Sequence, residues 1–216
     1  MIRQCVQGTM KAINPALKQY VEREILPRYD HFDKAHQRDH VNMVITQSMQ
    51  LAERLDVNAD MVYAIAAYHD TGLCEGREHH HTASAHIIKS DECLRQWFTE
   101  EQIQVMADAA EDHRASASNA PRTIYGRIVA EADRFIDPVT IVQRTIQFGL
   151  DHYPVLSREE HYNRMVAHLH EKYGRNGYLH LWFPDSPNAQ RLEQLRQMMD
   201  DEQQLRMLFN RMWQCE

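Results

Sequence analysis

Residues 64–74 read AIAAYHDTGLC. An apolar run sets an imidazole and a carboxylate side by side, His69 and Asp70, and a Thr71-Gly72 break follows at once. The run reads as one helix that starts after Asn58, which serves as its N-cap, and ends at Thr71-Gly72. Ile65, Ala66 and Ala67 mark it as buried, and burying two titratable groups behind them is costly unless something pairs with them. Neighbouring side chains on a regular helix diverge by ~100°. His69 and Asp70 can converge on one point only where the backbone is turning, and Thr71-Gly72 supplies the turn.

Outward from this stretch the punctuation predicts further helices. One runs from about Thr9 to Glu24, stopping before Pro27. Another, from about Ala35 to Leu55, carries Val41, Val44, Ile45, Ser48, Leu51, Ala52 and Leu55 in one stripe at helical spacing. Helices over Thr82–Trp97 and Glu100–Asp112 follow, the second opened by a capping box at Thr99 and Gln102. After the polar loop RASASNA, Pro121 opens a helix reaching about Ile136. Pro138 and Ser157 open two more, and Pro187 opens a last one that runs to about Trp213. Residues 174–187 are the least regular stretch. No strand pattern of comparable strength exists, so the fold class is all-α, organised as a single helical domain over residues 1–216.

Composition narrows the function. The 216 residues carry a net charge of −7 with scattered basic residues, which argues against bulk nucleic-acid binding. No apolar leader is present at the N-terminus, and no window approaches the ~18 apolar residues of a membrane span. The four cysteines, Cys5, Cys74, Cys93 and Cys215, are dispersed and read as reduced thiols, the pattern of a cytoplasmic protein. Histidine is unusually frequent, at fourteen copies, and neutral imidazole is the commonest metal ligand.

Placed on the helices, His36 and His40 share a face, and His40 is in register with Val44, Ser48 and Leu51. Asp133, in IVAEADRF, sits beside the small residues Ala130 and Ala132, which let a short carboxylate approach a crowded centre. His40, His69, Asp70 and Asp133 thus form a mixed N/O set that suits a divalent first-row ion, with Fe, Mn, Ni or Zn all admissible.

The order H…HD…D, with AHQRDHVNMV around His40 and AIAAYHDTG ahead of the doublet, resembles the HD superfamily of metal-dependent phosphohydrolases. The likeness spans about residues 30–137 and leaves 138–216 as a helical extension. It implies an HD-domain-like helical bundle and a possible second ion, held by His113 and by a histidine of the His79–His81 triplet, His80 first and His81 behind it. Asp70 would then bridge both ions, because a carboxylate has two oxygens. The activity implied is hydrolysis of a phosphate ester or nucleotide by attack of metal-activated hydroxide near Asp70. Arg114 is the first choice of cation for the phosphoryl oxygens, with Arg122 at a helix start beside it. His36 would protonate a leaving group or orient substrate, and Glu75 and Glu78 are candidate supporting bases. The partner is a phosphorylated small molecule or nucleotide, and the long C-terminal amphipathic helix fits a homodimer. Two other readings stay open. One is a mixed-valence di-iron oxygenase built on the same ligand order. The other is a non-catalytic module stapled by metal.

Overall fold

The computed structural model describes residues 12–33, 36–114 and 119–214. Among these every regular element is helical: α1 (Pro15–Tyr20), α2 (Arg38–Ala52), α3 (Ala59–Tyr68), α4 (His80–Ser90), α5 (Glu100–Glu111), α6 (Ile124–Ala132), α7 (Pro138–His152), α8 (Arg158–Tyr173), α9 (Pro187–Asp200) and α10 (Glu202–Trp213). The chain divides into two compact units, Met1–Asp133 and Arg134–Glu216, with the division just ahead of the expected end of the core at residue 137.

Local chemistry explains most helix starts. The Asn58 side chain accepts the N–H groups of Asp60 and Met61 and so caps α3. Thr99 with Gln102, and Ser157 with Glu160, close reciprocal capping boxes on α5 and α8. In α3 every residue from Met61 to Tyr68 is buried, as expected of a helix that is apolar all round. It is the centre of the first unit, packed against α2, α5 and α6, while α4 lies along α5. The second unit packs α7 against α8, α9 and α10 around Ile141, Ile146, Met165, Leu169, Leu195, Leu205 and Phe209.

Several boundaries differ from the sequence reading. The first helix ends at Tyr20, and the chain continues through a π turn, Val21–Ile25, and a 3₁₀ segment, Leu26–His31, that accommodates Pro27. Its expected start at Thr9, and the expected start of the next helix at Ala35, lie outside the described residues, as do Cys5, Cys215 and residues 115–118 of the polar loop. α2 begins at Arg38 and ends at Ala52, where the following residues tighten into i→i+3 bonds (Leu55 N–H to Ala52 O, 3.2 Å). The stretch Thr82–Trp97 is two elements, α4 and a 3₁₀ turn over Glu92–Gln96, because the Asp91 side chain captures the Cys93 N–H and stops the helix. By the same device Asp201 accepts the Gln204 N–H and splits the expected C-terminal helix into α9 and α10. α6 starts at Ile124, capped by Thr123 Oγ1 on the Gly126 N–H, so Pro121 precedes the helix and Ile136 follows it. No helix among the described residues is long and apolar enough to cross a membrane.

Candidate metal centre

The end of α3 is held by one buried hydroxyl. Tyr29, with no exposed surface, donates to the Ala67 carbonyl at 2.9 Å and accepts the Asp70 N–H at 3.3 Å. The helix stops at Tyr68. His69 is still in a helical conformation, and Asp70 turns away at φ −109°, ψ 6° into the 3₁₀ segment Thr71–Glu75. That turn lets two consecutive side chains face one point. Gly72 then passes so close to α4 that a Cβ on it would lie 2.1 Å from the His80 carbonyl oxygen and 2.5 Å from the Ser84 nitrogen. Its N–H donates to Ser84 Oγ at 2.9 Å. The glycine thereby brings the first residue of α4, His80, up to the doublet.

Other helix ends deliver the remaining groups. His40 lies in the first turn of α2, His113 just past α5, and Asp133 at the C-cap of α6. The ligand atoms of His40, His69, Asp70 and Asp133 all lie within 4.8 Å of one another, and so do those of Asp70, His80 and His113. Asp70 belongs to both groups through different oxygens. Its Oδ2 is 3.4 Å from His40 Nε2 and 3.3 Å from His69 Nε2. Its Oδ1 is 3.5 Å from His80 Nε2 and 3.3 Å from His113 Nε2. Asp133 Oδ1 completes the first group, 3.2 Å from His40 Nε2.

The imidazole tautomers suit a cation. Nδ1 of His69 donates to the Ala66 carbonyl, Nδ1 of His80 to the Arg77 carbonyl (2.8 Å each), and Nδ1 of His113 to the Ala110 carbonyl. In a neutral ring each of these leaves its Nε2 lone pair facing the centre, which is how proteins orient ligating histidines. Two such nitrogens, His80 and His113, stand 3.3 Å apart, and His40 Nε2 stands 3.2 Å from His69 Nε2. Facing lone pairs at that distance repel unless a proton or a cation lies between them. The donor set of four imidazoles and two carboxylates fits first-row divalent ions, and the cluster could hold them.

Charge follows the same logic. Burial opposes ionisation of Asp70, but the charge of His69 and hydrogen bonds from His113 and His40 hold it well below the usual carboxylate range. Asp133 is likewise held down, at about 2, chiefly by His40 against the cost of burial. For His40 burial is outweighed by hydrogen bonds to Asp133 and Asp70, and its pKa is pushed up to about 9. The same balance, with Asp70 as partner, raises His113. His80 is lowered by burial and by its neighbour His113.

Around this centre the other expected residues fall as follows. His81 is absent from both groups; its ring packs edge-on against His80, centroids 5.5 Å apart, and of the triplet His80 alone belongs to a group. His79, Glu75 and Glu78 are exposed. His36 gives its Nδ1 proton to Asp33 at 2.9 Å and packs edge-on against His40, centroids 5.6 Å apart. Arg114 donates to the Glu78 carbonyl at 3.0 Å. Arg122 is engaged elsewhere: its guanidinium pairs with Asp108, Glu111 and Asp112, and its N–H also donates to Asp112. Both the guanidinium and the backbone N–H of Arg122 are therefore already used. Arg77 was not singled out from the sequence, because nothing local distinguishes an exposed loop arginine. Its backbone carbonyl orients His80 and its Nη2 lies 3.5 Å from His36 Nε2.

Residues 38–136 match the family model of the HD domain, a span that holds all six residues of the two groups. No curated protein and no solved structure matches the chain.

Proposed function

From the premise that residues 38–136 belong to the HD domain family, we propose that the protein is a metal-dependent phosphohydrolase acting on a phosphorylated small molecule or nucleotide. The observation that carries this reading is the division of Asp70, one oxygen to each histidine group. If bound, two divalent ions sharing one carboxylate would supply a single phosphoryl group with two Lewis acids. His40, His69, Asp70 and Asp133 would hold the first ion, and Asp70, His80 and His113 the second. When bound, divalent ions lower the pKa of water and draw charge from a phosphoryl oxygen.

The chain's own residues supply position and charge. Asp70 keeps the two ion sites in register. The backbone carbonyls of Ala66, Arg77 and Ala110 fix three imidazole rings, so the site is organised before substrate arrives. Arg114, whose guanidinium has no carboxylate partner among the described residues, is the cation for equatorial oxygens as charge develops. His36, with Nδ1 on Asp33 and Nε2 3.5 Å from Arg77 Nη2, orients substrate through that arginine.

The test is elemental analysis of the purified protein coupled to a phosphate-release screen over nucleotides and sugar phosphates, with His69→Ala and Asp70→Ala in parallel. Metal content near two ions per chain and phosphate release lost in both variants support the reading. Full activity in both variants is incompatible with it. Oxygen uptake with a mixed-valence iron EPR signal, and no phosphate release, assigns the site to oxygenase chemistry instead.

A further inference from the structure

Acids outnumber Lys and Arg in this chain by 31 to 24, so a guanidinium is expected to find a carboxylate. Arg122 meets three. Arg77 meets none among the described residues. The side chain hydrogen-bonded to it is His36, 3.5 Å away at Nε2, whose Nδ1 faces Asp33 at 2.9 Å. The guanidinium is thus oriented by an imidazole, with no carboxylate paired to it among the described residues.

Its place is set by both halves of the metal centre. The Arg77 carbonyl orients His80, a residue of the second group, through Nδ1. The His36 ring against its side chain packs in turn on His40 of the first group. Gly76, at φ 101° the one positive-φ residue among those described, makes the reversal that delivers Arg77 to this position. Arg77 is therefore tied to both groups, through its carbonyl to His80 and through His36 to His40.

Resting on the phosphohydrolase reading, we propose that Arg77, held by the His36–Asp33 pair, binds a second anionic group of the substrate. The substrate class is a phosphomonoester that carries a further carboxylate or phosphoryl group. A guanidinium offers bidentate donors to either anion. A substrate with a single phosphoryl group would leave this charge unused.

The experiment measures binding by calorimetry to the manganese-loaded protein, with three non-hydrolysable probes of one skeleton: propylphosphonate, 3-phosphonopropionate and ethane-1,2-diphosphonate. The two doubly anionic probes bind about tenfold or more tighter than propylphosphonate. In Arg77→Gln that advantage disappears while propylphosphonate affinity and metal content stay the same, because the carbonyl that orients His80 belongs to the backbone. Arg77→Lys restores part of it. A larger gain for the carboxylate probe names a phosphorylated acid as substrate, and a larger gain for the diphosphonate names a substrate with two phosphoryl groups. Equal affinity of all three for the parent protein, or an advantage that persists in Arg77→Gln, overturns the assignment of Arg77 alone. Failure of all three probes to bind the loaded protein removes the phosphoryl site itself, and this assignment with it.

Discussion

The hydroxyl of Tyr29 accepts the backbone N–H of Asp70 at 3.3 Å while donating to the carbonyl of Ala67 at 2.9 Å. Both partners are buried at the end of α3, and neither has water to turn to. Tyr29→Phe leaves a buried donor and a buried acceptor without this bond, a loss of about 1–3 kcal/mol. Because the orphaned N–H belongs to the residue shared by both histidine groups, metal affinity falls as well, by roughly 10–100-fold, the usual effect of losing a group that supports a ligand. Thermal melting and a competitive metal titration measure the two effects. A Tyr29→Phe variant that melts lower but binds metal as tightly as the parent would show that the hydroxyl braces the helix without positioning Asp70.

Gly72 makes a sharper prediction, because the conflict is with backbone. A methyl there would stand 2.1 Å from the His80 carbonyl oxygen and 2.5 Å from the Ser84 nitrogen, so α4 must move away. Gly72→Ala costs about 1–3 kcal/mol or more. The displaced element is the one carrying His80, so the second group suffers first. Elemental analysis should show one ion retained and the other lost. Equal loss of both ions would place the strain on α3 instead.

Much of this architecture is legible in the sequence because it depends on short-range bonds. Asn58, Thr99 with Gln102 and Ser157 with Glu160 cap helices within three residues of themselves, and such spacing is visible in a linear string. The breaks at Asp91 and Asp201 use equally local bonds, to Cys93 and Gln204. They sit inside acidic runs where no single carboxylate stands out, so two helices read as continuous. The site divides the same way. His40, His69, Asp70 and Asp133 announce themselves by residue type and by their place near helix ends. The choice of His80 over its neighbours needs the Arg77 carbonyl at Nδ1. The engagement of Arg122 needs the last turn of α5, and the role of Arg77 needs a histidine 41 positions earlier. These are consequences of packing, and no local pattern encodes them.

The shared carboxylate separates the two ion sites experimentally. His80→Ala and His113→Ala remove donors from one group and leave His40, His69, Asp70 and Asp133 intact. Each should therefore hold about one ion per chain. Asp70→Ala removes an oxygen from both groups at once and should hold less than either. Metal stoichiometry after desalting reads this directly. If His80→Ala loses both ions together, the groups form one cooperative centre and not two separable ones.

Finally, the metal-free centre should respond to pH in a direction opposite to its metal affinity. His40 is raised from 6.5 to about 9 by Asp133 and Asp70 in spite of its burial. A group with a raised folded pKa binds its proton more tightly in the folded state. Its contribution is complete below 6.5 and is lost as pH rises through about 9. Asp133 works at the other end: its pKa is lowered from 3.8 to about 2, so its contribution is present above 3.8 and is lost as pH falls through about 2. Chelator-treated protein should therefore melt highest between these limits and at a lower temperature at pH 9 than at pH 6.5. A cation does the opposite, because it needs the Nε2 lone pair that the proton occupies. Metal uptake releases protons, and the rise in melting temperature on adding manganese should grow between pH 6.5 and pH 9. Calorimetric titration in two buffers of different ionisation enthalpy counts the protons released. A melting temperature for the chelated protein that is flat over that range, with an equal metal increment at both ends, would mean that His40 is not the proton-bearing member of the group.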